Sequence, residues 1–152
     1  MSTVVDIQWS EEFATGIDII DEQHRQLFTY FEEIQTLIST KQTEGLADIV
    51  RGLVDYAISH NTFEESLMEK GGYPMLDAHH RVHENFKSRA LAYGDRLSAG
   101  EDPIRVAREV RVDIGIWLMN HIRREDKHYV PYVRKVLDNQ GLVSRLLSKV
   151  FG

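Results

Sequence analysis

Apolar side chains recur every three or four residues through four long stretches of this chain, a spacing that a helix buries on one face and a strand cannot. The first stretch, from about Asp18 to Ser39, aligns Ile20, His24, Leu27, Phe31, Ile34 and Ile38. The second, from about Thr43 to Lys70, aligns Leu46, Ile49, Leu53, Ala57, His60, Glu64 and Leu67. From about Met75 to Leu97 the third aligns Leu76, His79, His83, Phe86, Ala90, Tyr93 and Leu97. The fourth opens at Asp102 and aligns Ile104, Ala107, Val110, Ile114, Trp117 and His121. With three prolines in 152 residues, the pattern specifies an all-α fold.

The punctuation between the stretches agrees. In "GGYP", Gly71 or Gly72 suits a left-handed helix end and Pro74 blocks continuation. "SAG" closes the third helix, and in "EDPI" Asp102 takes the N-cap and Pro103 the first helical position. Helices of this length, about 30 Å each at about 1.5 Å per residue, joined by short connections, favour an antiparallel up-down four-helix bundle. The expected layout is a single domain over residues 1–152. An irregular N-terminal arm over 1–17 carries Trp9 and Phe13, a bundle follows over about 18–130, and a C-terminal extension over about 131–152 forms one or two short helices.

Each stripe should be pure core, yet each carries at least one polar side chain of a metal-ligating type: His24; His60 with Glu64; His79 with His83; His121. One inward histidine is ordinary, and pairs four apart arise by chance in a chain with 24 acidic residues and 7 histidines. The joint pattern is different. Burying several imidazoles and a carboxylate without compensation costs several kcal/mol each, and a bundle tolerates this when the groups share a metal. In the cluster "HHRVH", His79 and His83 lie on the apolar stripe, whereas His80 is turned about 100° away, toward the rim or solvent. Imidazoles with carboxylates and no thiolate suit iron, zinc, copper or nickel, and five histidines with two carboxylates suit two ions better than one. Residue type and spacing do not choose among these metals.

Composition removes other classes. A net charge of −6 argues against a nucleic-acid partner, which needs a basic face. The absence of cysteine excludes disulfides, thiolate zinc sites and iron–sulfur clusters, and fits a cytoplasmic location. "MSTVVDIQWSEEF" has no secretory pattern and no run reaches membrane-span length, so a soluble protein without a membrane span is expected.

The segments "WSEEFATGIDIIDEQH" ending at His24, "HNTFEE" from His60, "YPMLDAHHRVHENF" from Tyr73 and "WLMNHIRRED" from Trp117 resemble the hemerythrin family, most closely its single-domain bacterial members. They span residues 9 to 126 and keep the spacings H-x3-E, H-x3-H and H-x4-D. The resemblance implies a non-haem di-iron centre (Fe2+/Fe3+) with His79, His83 and His121 on one iron and His24 and His60 on the other. Glu64, Asp126 and a solvent-derived oxygen would bridge the two, and dioxygen would bind at the open position beside His24 and His60. By the same resemblance Leu27, Trp117, Leu118 and Ile122 line an apolar oxygen pocket. The family usually has an aromatic residue after the second histidine; here it is Asn61, which is expected to admit water or hydrogen-bond the ligand.

Helical geometry alone favours a different carboxylate. It places Glu125 about 40° from the direction of His121 and Asp126 about 140° away, so Asp126 requires the helix to distort near its end. The motif selects Asp126. An imidazole-rich shell with two carboxylates donates less electron density than the carboxylate-rich centres of ferritin-like enzymes, and favours reversible dioxygen binding over O–O cleavage. The leading expectation is a non-enzymatic protein for oxygen storage, delivery or sensing. The alternatives are a di-iron oxidase, peroxidase or nitric-oxide-consuming enzyme, and an oxygen- or iron-responsive regulatory module. In the tail "GLVSRLLSKVFG", Leu142, Val143, Leu146, Leu147, Val150 and Phe151 give either a helix capping the bundle end or a surface for a protein partner or self-association.

Overall fold

The computed structural model describes residues 6–152. Among them the secondary structure is entirely helical: a 3-10 turn at Glu11–Phe13, then α1 (Asp18–Ser39), α2 (Leu46–Lys70), α3 (Leu76–Ser98), α4 (Pro103–Arg124), α5 (Val130–Leu137) and α6 (Gln140–Phe151). Each of α1 to α4 packs on the next and α4 closes on α1, which with the short connections makes a four-helix bundle. The second helix starts three residues later than its apolar period suggests, because residues 43–45 form a turn that ends on Gly45 at φ +81°. No helix among the described residues is long and apolar enough to cross a membrane.

Local signals explain the helix limits. Asp21, in the first turn of α1, accepts hydrogen bonds from the Thr15 amide (2.8 Å), the Thr15 hydroxyl (2.8 Å) and the Gly16 amide (3.1 Å). The arm's donors are thereby tied to a carboxylate in the first turn of a helix, where negative charge is favoured. Gly72 adopts φ +70° just past α2, the left-handed position that glycine takes without a Cβ clash. The Asp102 carboxylate accepts from the Ile104 amide at 3.1 Å and Pro103 opens α4.

The arm covers the α1–α4 seam. Ile7 and Phe13 are buried, and Phe13 packs on Phe28 with ring centroids 5.0 Å apart. Arg25 lies over the Trp9 ring at 4.2 Å, and Arg123 pairs with Glu12 at 2.9 Å. Residues 1–5 of the expected arm lie outside the described residues.

The extension forms two helices, and both turn back onto the bundle. Helix α5 packs on α2, where any side chain at Gly71 would collide with the Tyr132 carbonyl. Helix α6 packs on α2 and α5 through Leu146, which is buried, with Leu142, Val143, Leu147 and Val150 beside it.

Among the described residues the apolar interior falls into two bodies. The larger runs from Leu27, Phe31 and Leu53 through Phe86, Val110 and Ile122; the smaller groups Ile17, Ile20, Phe63, Leu67, Tyr129, Val133 and Leu146. The polar side chains of the four stripes sit where the two meet: His24 falls between Ile20 and Leu27, and His60 with Glu64 between Ala57 and Leu67.

Candidate metal centre

All five inward histidines, Glu64 and Asp126 are buried, none more than 5% exposed. Their ligand atoms fall into two overlapping groups. Glu64, His79, His83, His121 and Asp126 each offer an atom within 4.8 Å of the others; so do His24, His60, Glu64 and Asp126. The carboxylates of Glu64 and Asp126 belong to both groups. Asp126 reaches His121 Nε2 at 3.0 Å and His79 Nε2 at 3.3 Å through Oδ1, and His24 Nε2 at 3.3 Å through Oδ2. Glu64 Oε2 lies 3.3 Å from His60 Nε2 and 3.5 Å from His24 Nε2, while Oε1 lies 3.7 Å from His83 Nε2.

The end of α4 explains how Asp126 enters. The carbonyl of His121 accepts from the Glu125 amide at 2.8 Å and from the Asp126 amide at 3.1 Å, the second bond closing a wider turn than an α-helix makes. The helix ends at Arg124, and that slackening swings Asp126 inward. Glu125 stays at the rim with its side chain 41% exposed, 3.6 Å from His121 Nδ1.

The donor set fits cations. His24 Nε2, His60 Nε2, His79 Nε2, Glu64 Oε1 and both Asp126 oxygens are buried without a hydrogen-bond partner among the described residues. Buried polar atoms are normally satisfied, and each orphan costs about 1–3 kcal/mol. Six such atoms spread over the two overlapping groups are accounted for by positive charge held among them. Proton affinities carry the same message. Burial opposes the charged form of His24, yet Asp126 and Glu64 outweigh it and push its pKa up to about 9. Burial likewise opposes a charged His121, and Asp126 overcomes it. Burial would raise the Glu64 and Asp126 carboxyls, but the surrounding histidines hold both below the usual range. His83 is shifted down, chiefly by burial, despite Glu65 beside it.

Three residues at the site lay beyond periodicity. The His60 Nδ1–H donates to Gln23 Oε1 at 2.6 Å. The His83 Nδ1–H donates to Glu65 Oε2 at 2.9 Å, and His80 bonds the other oxygen of the same carboxylate. The hydroxyl of the fully buried Tyr129 donates to Glu64 Oε2. His80 is exposed, as its rotation off the stripe implies, but it is not idle. Among the expected pocket residues, Leu27, Leu118, Ile122 and Asn61 are buried, and the three apolar ones belong to the larger core body. Trp117 lies flat on His121, with centroids 4.6 Å apart and planes 16° apart, and also packs against Phe86 with centroids 4.4 Å apart.

The family model described as the hemerythrin HHE cation binding domain matches residues 15–133. The chain belongs to the hemerythrin family. Curated relatives include the bacteriohemerythrin of Stenotrophomonas maltophilia (strain R551-3), 36% identical over 95% of this chain and 97% of the relative. A bacteriohemerythrin of Pseudomonas aeruginosa (strain LESB58) has the same identity and coverage. The myohemerythrin of Theromyzon tessulatum is 30% identical over 80% of this chain and 89% of its own length. The hemerythrin match runs from Thr15, at the junction of arm and α1, to Val133 in α5, and so contains all seven inward polar residues.

Proposed function

We propose that this hemerythrin-family protein binds dioxygen reversibly at a pair of iron ions. The observation that carries the reading is the inequality of the two donor groups around shared carboxylates. Five side chains converge on one side and four on the other, with Glu64 and Asp126 common to both. His79, His83 and His121 would hold one iron and His24 and His60 the other, with the carboxylates of Glu64 and Asp126 within reach of both. The side with fewer protein donors keeps room for a small exogenous ligand. Bound iron would supply the redox chemistry and the open coordination position that dioxygen needs.

The chain's own residues do the rest. Leu27, Leu118 and Ile122 belong to the larger apolar core body, and an apolar wall beside the histidines limits proton access to the ligand. Tyr129 holds its proton toward Glu64 Oε2 and fixes the angle of that carboxylate. Gln23 and Glu65 take the Nδ1 protons of His60 and His83, leaving Nε2 free to face inward. The seven inward polar residues hold only two carboxylates against five imidazoles, and this composition favours binding over oxygen activation. The role served is storage, delivery or sensing.

The test is metal content with the visible spectrum of the purified protein, cycled between air and argon after reduction. Roughly two irons per chain and a charge-transfer absorption that appears in air and fades under argon are expected, as two donor groups imply. A protein that stays colourless in air when loaded with iron overturns the reading. Sustained product formation, in place of a reversible cycle, would instead mark an oxidase or peroxidase.

A further inference from the structure

We propose that Glu65 is a positioning residue for the metal on the His79–His83–His121 side, fixing the His83 ring with Nε2 inward and making the two metal positions electronically unequal. The inference rests on the iron-binding reading above. A carboxylate can only accept, so the 2.9 Å contact between Glu65 Oε2 and His83 Nδ1 places the ring proton on Nδ1. The lone pair of Nε2 is then free for the centre, where that atom lies 3.7 Å from Glu64 Oε1 and 3.0 Å from His121 Nε2.

Glu65 is itself held in place. Its side chain is only 20% exposed, and its other oxygen is bonded by the Nδ1–H of His80, which lies one residue after His79 and faces solvent. Two of the three histidines of "HHRVH" therefore grip the two oxygens of one carboxylate, one from outside and one from within. The third, His79, faces the centre directly.

The other side of the centre lacks this charge. His60 Nδ1 donates to the neutral amide oxygen of Gln23 at 2.6 Å, and His24 Nδ1 is buried with no hydrogen-bond partner among the described residues. An imidazole whose N–H is taken by a carboxylate is a stronger donor than one bonded to an amide. His83 therefore favours the more highly charged ferric ion more than His60 does. Glu65→Gln keeps an acceptor and removes the charge, reproducing at His83 the arrangement His60 has with Gln23. Gln23→Glu does the reverse.

The experiment loads the full chain and both variants with iron and measures the ferric/ferrous midpoint by reductive titration followed in the visible spectrum. The midpoint is expected to rise in Glu65→Gln and to fall in Gln23→Glu. Glu65→Ala, which removes the acceptor, should lose about 10–100-fold in iron affinity. In parallel, nitrogen NMR of the metal-free chain should show His83 protonated at Nδ1, with that resonance moving in Glu65→Gln. A purely structural Glu65 would be replaced by the amide without consequence, so an unchanged midpoint in iron-loaded Glu65→Gln overturns the charge role. Protonation of His83 at Nε2 in the metal-free chain overturns the positioning role, even if the wild-type chain takes up no iron and the reading beneath it fails.

Discussion

Asp126 and Glu125 are adjacent carboxylates with opposite fates, and the difference is one hydrogen bond. Because the His121 carbonyl accepts from both following amides, Asp126 arrives among the histidines while Glu125 stays at the rim. Asp126→Ala is expected to lose iron by more than the roughly 10–100-fold that outer-shell changes cost, and Glu125→Ala to retain it; iron per chain after gel filtration decides. Asn61, buried at 6% exposure next to His60 within α2, gives a second prediction. Asn61→Phe should restore an apolar neighbour and slow autoxidation of the oxygenated protein, and an unaltered rate would remove Asn61 from the oxygen pocket. These residues also mark how far sequence reasoning reaches. Periodicity brought His24, His60, Glu64, His79, His83 and His121 inward, since each lies on an apolar stripe. It could not bring Asp126, because the backbone leaves the helical period there. Nor could it find Gln23, Glu65 or Tyr129, whose partners lie 37, 18 and 65 residues away in sequence and are set by helix packing alone.

At the level of elements, the four long helices were legible because each has a continuous apolar face and an explicit stop. Their limits agree with the sequence to within a residue or two, except where the turn at Gly45 delays α2. The extension was harder to read, since the same apolar residues suit a cap or a docking face. In the fold they cover Ile20, Phe63 and Leu67, as a cap requires. Truncation after Gly141 removes Leu146, whose burial alone is worth about 1.5–3 kcal/mol, so the melting temperature should fall by roughly 3–12 °C. Thermal melting checks this, and an unchanged melt would return α6 to the role of a free docking surface. Gly71 offers a finer probe of the same contact. A methyl group there meets the Tyr132 carbonyl, so Gly71→Ala should cost about 1–3 kcal/mol by overpacking and push α5 away from α2. Chemical denaturation of the variant measures the cost.

On the scale of the molecule, a polar centre separates two apolar bodies, and the fold tolerates it through whatever charge the centre holds. Removing iron with a chelator under reducing conditions should lower the melting temperature while leaving helix content nearly intact, because both apolar bodies survive. A ligand at a hundred times its dissociation constant contributes about 2.7 kcal/mol; scanning calorimetry of metal-loaded and metal-free protein reads the difference. Equal melting temperatures would mean that the centre contributes nothing to folding.

Of the two shared carboxylates, Glu64 stands within the long helix α2, whereas Asp126 stands on the short link between α4 and α5. Tyr129, which steadies Glu64, stands on that same link. Downstream, α5 rests on Gly71 and α6 on the floor of the bundle. The tail thus stands as a guy-line to the one ligand candidate that no long helix supports: slackening its far anchorage is expected to loosen Asp126 and, through it, the three histidine nitrogens that its oxygens touch.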